Sequence, residues 1–452
     1  MVTEGNLHPD SHYPAHHRCI AERTQQALQA CGLTALVISS GTQRLVFLDD
    51  HHLPFKANPH WLWWLPLLQA PDCLLHIRPG QRPRLLFCSA EDYWHLPAQI
   101  PQEAWAQHFD IERVSSPQAT WKALGPLDAR TGFVGEVCPA EHTPQFAAIN
   151  SSPLLAHLHE QRVRKTPYEV ACQREASALG VKGHRAAHQA YLDGGSEFAI
   201  HQAFLRGCGQ REQELPYQAI VALNEHAATL HYQQLDRQNP AQRRSLLIDA
   251  GAGFRGYGSD ITRTYGNGQA TFEALLRGMD TLQQTLCAAV RPGLDWRDLH
   301  LHAHLLIAEL LAAHDIIKAD PQQALDSGLS AVFLPHGLGH LLGLQVHDVA
   351  GFQPTPTTPA IAPPPGHPTL RLTRQLEPGF VVTVEPGLYF IDLLLQRARH
   401  GAHATQINWP LVDELRPWGG IRIEDNVLVT ESGHQNLTRE AFAKEASAAA
   451  SG

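Results

Sequence analysis

Five ionisable side chains stand at the ends of strand-like runs or in glycine-rich turns, where a charge needs a partner. Asp249 closes the run Leu246-Leu247-Ile248 and opens Asp249-Ala250-Gly251-Ala252-Gly253. Asp260 follows 11 residues later, in Ser259-Asp260-Ile261-Thr262-Arg263-Thr264. Two short strands joined by a turn bring such carboxylates side by side, although an Asp at a strand end is most often only a turn residue. Next comes Pro335-His336-Gly337-Leu338-Gly339-His340, with His347 a further seven residues on. Two histidines four apart match the spacing of a zincin helix, but Gly337 stands where that motif has Glu, and the glycines disfavour a helix. Taken alone, three histidines in 12 residues fit a solvated loop as well.

Two more carboxylates change the balance. Strand alternation puts Glu385 on one face with Thr383 and Val381, at the end of an otherwise buried run. The same period puts Arg422 and Glu424 on one face, and Ile421 and Ile423 on the other. An unpaired buried carboxylate costs several kcal/mol or more unless it is protonated or neutralised. A salt bridge from Arg422 would neutralise Glu424 but leave Asp249, Asp260 and Glu385 unpaired, so bound metal accounts for more of the pattern. Four carboxylates and one imidazole form a hard, oxygen-rich donor set, which selects Mn²⁺, Co²⁺ or Zn²⁺ over copper or an iron–sulfur cluster. Four negative charges over-compensate one divalent ion, so two ions are the simpler solution. Such a pair activates a bridging water and polarises a carbonyl or phosphoryl oxygen. The residues alone therefore predict a dinuclear metallohydrolase.

The elements that must position these groups fall into two domains, 1–165 and 166–452. The first reads as α/β, with strand-like runs Ala35-Leu36-Val37-Ile38-Ser39, Leu45-Val46-Phe47-Leu48, Leu85-Leu86-Phe87-Cys88 and Gly132-Phe133-Val134-Gly135 between helical stretches. The basic run Arg162-Val163-Arg164-Lys165 marks the boundary. Thr166-Pro167-Tyr168-Glu169 then combines a cap, a proline at the first helical position and a capping-box glutamate, and Asp193-Gly194-Gly195 stops that helix. A second helix starts at Ser196. Beyond residue 245, strands Leu246–Asp249, Val381–Glu385 and Ile421–Glu424 alternate with helices Phe272–Val290 and Trp296–His314. Gln353–Gly366 holds six prolines and reads as a loop or lid, and the Ala/Ser-rich tail from Ala443 reads as frayed.

Composition limits the functions open to this chain. At 452 residues, 43 % hydrophobic and 17 % charged, it is neither disordered nor collagen-like. A net charge of −9 argues against nucleic-acid or membrane partners. The most hydrophobic stretch, Trp61–Ala70, is far short of the roughly 20 apolar residues that span a bilayer. Met1–Asn6 has neither a basic nor an apolar region of an export signal. Eight scattered cysteines without a CxxC pair fit a reduced, cytoplasmic protein.

The order Asp, Asp, His, Glu, Glu resembles that of the pita-bread metallopeptidases, the family of methionine aminopeptidase, aminopeptidase P and prolidase. The resemblance runs over nearly the whole chain. It includes Phe47-Leu48-Asp49-Asp50 and Pro54-Phe55-Lys56-Ala57-Asn58-Pro59, then Ile220–Glu225, Thr229-Leu230-His231-Tyr232 and Asp249-Ala250-Gly251. It continues through Asp260–Thr264, His336–His340, Glu385-Pro386-Gly387-Leu388-Tyr389 and Gly419–Asp425. Within the family the chain looks most similar to the bacterial prolidase (Xaa-Pro dipeptidase) branch, also called the organophosphorus acid anhydrolase type. That resemblance implies a creatinase-like α/β N-terminal domain and an α+β pita-bread catalytic domain. It implies hydrolysis of dipeptides ending in proline, through a water bridging two ions, commonly manganese. Asp249, Asp260, His340, Glu385 and Glu424 would bind these ions, with Asp260 and Glu424 bridging and Glu385 also acting as general base and acid. His336 and His347 would stabilise the tetrahedral intermediate. Arg422, with His231 and His336, would hold the substrate carboxylate. Tyr217 would line the pocket for the first residue, and Asp50 from a second copy in a homodimer would contact the amino group. The alternatives are an Xaa-Pro aminopeptidase acting on longer peptides and a non-enzymatic pita-bread binding protein. Relatives with organophosphorus activity carry Tyr where this chain has Trp296, which leaves that side activity open.

Overall fold

The computed structural model describes residues 8–451, so the opening Met1–Asn6 lies outside the described residues. The chain divides into two units, Met1–Cys172 with Thr355–Thr357, and Gln173–Pro354 with Thr358–Gly452.

In the first unit, six strands form one mixed sheet: β1 (Ala35–Ser39), β2 (Leu74–Ile77), β3 (Arg84–Cys88), β4 (Asp110–Val114), β5 (Thr131–Val134) and β6 (Ala148–Ile149). Their order is β4-β3-β2-β1-β5-β6, with β1 antiparallel to β2 and parallel to β5. Every residue of β1, β2 and β5 is buried, as expected of strands covered on both faces. Val37, Leu74, Leu86 and Phe133 form one core cluster of this unit. The expected strand Leu45–Leu48 does not form. Only an isolated bridge joins Leu45 to His52, Leu48 has φ of 57°, and Phe47 is 88 % exposed. The Asp49 carboxylate accepts from the amides of Asp50 and His51, and this local turn folds the run back so that Val46 donates to the His51 carbonyl at 2.8 Å.

The helix Pro167–Leu192 begins as its sequence predicts. Glu169 accepts from the Thr166 amide at 2.9 Å, and Thr166 Oγ1 accepts from the Glu169 amide at 3.4 Å. Ser196 caps the next helix, Glu197–Cys208.

The second unit is built from short sheets. β7 (Ile220–Leu223), β8 (Ser245–Asp249) and β11 (Thr262–Gly266) pair in the order β11-β8-β7, and between β8 and β11 lies the hairpin β9 (Gly253–Phe254) and β10 (Tyr257–Gly258). A second sheet has the order β12 (Val381–Val384), β15 (Asp425–Val429), β16 (His434–Asn436), and a third pairs β13 (Gly387–Tyr389) with β14 (Gly420–Arg422). The expected strand Ile421–Glu424 thus ends at Arg422. Glu424 sits at the switch between two sheets, where it bridges to Thr262. Helix Ala270–Ala289 buries Phe272, Leu275, Met279, Leu282 and Leu286, a 3.6-residue stripe that packs against the strands. Gln353–Gly366 contains no helix or strand. The tail expected to fray instead forms helix Leu437–Ser451, as its alanine content favours.

Candidate metal centre

Pairing of β8 with β11 sets Asp249 directly opposite Thr262. Asp260 lies two residues before Thr262, after the β9–β10 hairpin has folded back. Gly251 permits this return, because a Cβ there would run into the Ser259 carbonyl. The bridge from Thr262 to Glu424 adds the carboxylate at the sheet switch. The histidine segment runs extended beside β12 and is no helix. His340 accepts from the Thr383 amide through its carbonyl, and Leu338 accepts from the Glu385 amide, both at 2.9 Å. Gly339 is what allows this approach, since a Cβ there would overlap the Thr383 carbonyl oxygen. Five segments distant in sequence therefore place Asp249, Asp260, His340, Glu385 and Glu424 together.

The distances describe one cluster. His340 Nε2 lies 3.4 Å from Asp260 Oδ2 and 3.7 Å from Glu385 Oε1. Asp260, His340 and Glu424 each offer a ligand atom within 4.8 Å of the others. His340 Nδ1 donates to the Leu341 carbonyl at 2.9 Å, which fixes the tautomer and leaves Nε2 for the carboxylates. Thr262 Oγ1 donates to Glu424 at 2.7 Å, and Tyr217 donates to Asp249 Oδ1 at 2.7 Å.

Arg422 does not pair with Glu424. Its Nη2 donates to Asp249 Oδ2 at 2.6 Å, its Nη1 to Tyr389 at 2.8 Å and its Nε to Thr262 Oγ1 at 3.2 Å. The reason is register: Arg422 lies within β14, while Glu424 has already turned toward β11. Because the Tyr389 oxygen accepts from Arg422, its proton goes to His336 Nε2 at 2.8 Å, and His336 Nδ1 donates to the Gly337 carbonyl. Both nitrogens of His336 are thereby engaged. His347 stacks edge-on against His340, with ring centroids 4.3 Å apart. His231 is exposed and lies near His336 and His347. Asp50 is 98 % exposed on the loop of the first unit, beside His51. Trp296 is fully buried at the start of its helix.

The electrostatics of the cluster are those of a site with too much negative charge. Burial, reinforced by its carboxylate neighbours, pushes Glu424 well up, and burial pushes Glu385 up to about 7. Burial also raises Asp249 against the pull of Arg422. Asp260 resists burial because His340 bonds it, and it is held below the usual range; His340 is raised correspondingly by Asp260 and Glu385 despite its burial. Burial drops His336 and His347 to about 4, so both are neutral imidazoles near pH 7. Four carboxylates share two cationic partners, Arg422 and His340. The residues fit hard divalent ions, which would supply the missing positive charge through oxygen ligands.

Sequence reasoning overlooked Thr262, Thr383 and Tyr389 as members of this site. Thr262 was within reach of strand alternation, being two residues from Asp260. Tyr389 carried no signal, because its partners Arg422 and His336 meet it only in three dimensions.

Comparison with known proteins agrees with this geometry. Residues 11–159 match the family described as Xaa-Pro dipeptidase, N-terminal domain, and residues 171–431 match metallopeptidase family M24. A protein of Stenotrophomonas maltophilia (strain K279a) named Xaa-Pro dipeptidase is 48 % identical over 436 residues, covering 96 % of this chain and 98 % of the relative. One from Xanthomonas campestris pv. campestris (strain B100), of the same name, is 46 % identical over 95 % of this chain and 98 % of its own. Among solved structures, proline aminopeptidase P II from Yersinia pestis superposes with a TM-score of 0.68 at 22 % identity, covering 95 % of this chain and 99 % of that one. Aminopeptidase P from E. coli with the inhibitor Pro-Leu gives 0.68 at 23 % identity, over 95 % and 98 % of the two chains, a likeness of fold. With an α/β N-terminal domain and a pita-bread catalytic domain, the chain belongs to metallopeptidase family M24.

Proposed function

We propose that this protein is an Xaa-Pro dipeptidase that holds two divalent ions between Asp249, Asp260, His340, Glu385 and Glu424. The carrying observation is the buried carboxylate cluster with its deficit of positive charge, in a chain nearly as long as relatives of that name. The oxygen-rich donor set favours manganese among the divalent ions. When bound, such a pair lowers the pKa of water and polarises the scissile carbonyl.

The protein's own groups do the rest. Glu385 takes a proton from the attacking water and returns it to the departing proline nitrogen, a task suited to a carboxylate whose pKa burial lifts toward neutrality. His347, a neutral imidazole, donates a hydrogen bond to the developing oxyanion. His336 acts through Tyr389, keeping that hydroxyl and Arg422 in line. Arg422 spends three of its five N–H donors inside the chain, so one proton on each terminal nitrogen remains for the carboxylate of proline. His231 assists from the open side. Tyr217 orients Asp249 and borders the pocket for the first residue. A tertiary amide brings no N–H to satisfy, so an apolar ring pocket selects proline. We place the protein in the cytoplasm as a homodimer. The exposed loop bearing Phe47, Leu48 and Asp50 is the face that a second copy would cover.

Hydrolysis of Ala-Pro, Ala-Pro-Gly and Ala-Ala by metal-stripped protein, with and without Mn²⁺, tests the proposal. Metal-dependent cleavage of Ala-Pro alone is the expected result. Equal cleavage of the tripeptide makes the protein an aminopeptidase, and no cleavage with any metal leaves a binding protein.

A further inference from the structure

Outside the carboxylate cluster, the second unit packs three histidines against one another, two of them buried. His300 and His304 stand four apart on helix Trp296–Ala313, so they share a face. His367 meets them from the segment that follows the proline-rich stretch. Their ring centroids are 4.4–4.7 Å apart in all three pairs, and each ring offers a nitrogen within 4.8 Å of the others.

The nitrogens make this more than aromatic packing. His300 is 1 % exposed and His304 fully buried, yet neither nitrogen of His300, nor Nε2 of His304, has a hydrogen-bond partner. Buried polar atoms are nearly always satisfied, so one orphan nitrogen from each of His300 and His304, beside a nitrogen of His367, calls for a ligand that takes lone pairs. Two other groupings among the described residues lack this feature. Glu197, beside His226, already accepts from the amides of Leu223 and Asp236 and from Tyr232. Asp49, Asp50 and His51 are all exposed.

We infer that His300, His304 and His367 form a second metal site, separate from the carboxylate cluster and suited to a borderline ion such as Zn²⁺. Imidazoles without a carboxylate favour zinc over manganese. Three histidines leave a fourth tetrahedral position for water or an anion. Ser330 Oγ holds His304 Nδ1 at 3.0 Å, which turns Nε2 toward the other two rings as an orienting partner does in zinc sites. Zinc–nitrogen bonds of about 2.0–2.1 Å need a tighter triangle than the present one. His367, half-buried on an irregular segment, supplies that movement and an entry path. Zinc there would pin the end of the proline-rich segment to the helix.

The test is a zinc titration of full-length protein pre-equilibrated with excess Mn²⁺, counting both metals by mass spectrometry after gel filtration. The expected result is one zinc per chain with manganese undiminished, and an X-ray absorption spectrum showing imidazole nitrogen neighbours. His367→Ala, which removes the half-buried ring, and His300→Phe, which keeps the core filled, should each lose that zinc while retaining manganese. Zinc that enters only as manganese leaves, or that persists in both variants, overturns the inference.

Discussion

Replacing Glu385 by Gln should separate stability from activity in a direction that depends on metal. In metal-free protein the Glu385 carboxyl is pushed up to about 7 by burial, against an ordinary value of 4.5. Such a group favours the folded state fully below about 4.5, and that contribution disappears as pH rises through about 7. Each pKa unit corresponds to 1.36 kcal/mol, so ionising Glu385 in place weakens folding by about 3 kcal/mol at pH 8. Gln keeps the shape and has no proton to lose. In EDTA at pH 8, Glu385→Gln should therefore unfold at higher urea than wild type, by an amount equivalent to about 3 kcal/mol, and the two should converge near pH 4.5. With saturating Mn²⁺ the order should invert, because ion binding stabilises the wild-type fold by mass action while the variant has lost a ligand. Activity should be abolished in both conditions. The assay is urea unfolding followed by far-ultraviolet circular dichroism from pH 4.5 to 8, with EDTA and with Mn²⁺. A variant that is less stable than wild type in EDTA at pH 8, or that keeps the wild-type pH slope, refutes the assignment of excess buried charge to this carboxylate.

Tyr217→Phe removes the hydroxyl that donates to Asp249 at 2.7 Å, and should lower manganese affinity and kcat/KM about 10- to 100-fold with little loss of fold; metal titration and Ala-Pro kinetics read both. Gly339→Ala puts a methyl against the Thr383 carbonyl oxygen and should cost more than about 4 kcal/mol, seen as loss of soluble protein or a collapsed urea midpoint. Asp425 is fully buried and, although burial works against its charge, Arg263 at 2.7 Å and Arg439 at 2.8 Å hold it down to about 2. That pairing contributes about 2 kcal/mol above pH 3.8 and vanishes as pH falls through about 2. Asp425→Asn should accordingly flatten acid unfolding over that window, as stopped pH titrations would show.

How much of this site was legible in the sequence depends on whether a residue's partners are local. The capping box at Thr166 and Glu169 involves four consecutive residues, and it forms as read. The non-helical character of His336–His340 followed from two glycines, and Gly339 is indeed where the backbone approaches Thr383. The cluster itself was legible because its carboxylates stand at the ends of strand-like runs or, for Asp260, after a glycine-rich turn, where a charge needs a partner. Phe47 and Leu48 misled for the converse reason: a short apolar run looks like a strand whether or not a neighbour exists to pair with it.

Arg422 shows where local reading stops. Period-two alternation places it on one face with Glu424, and a salt bridge between them follows if the strand continues. The chain instead changes sheets after Arg422, so Glu424 turns to Thr262 while the guanidinium reaches back to Asp249. The consequence is chemical. A guanidinium tied to one carboxylate of the cluster and to Tyr389 neutralises part of the cluster's charge and keeps one proton on each terminal nitrogen for the substrate carboxylate that we propose it holds. Had Arg422 paired with Glu424, it would lie behind the sheet switch and Asp249 would have no cationic neighbour. The break in the strand is thus what converts a structural ion pair into a candidate substrate clamp.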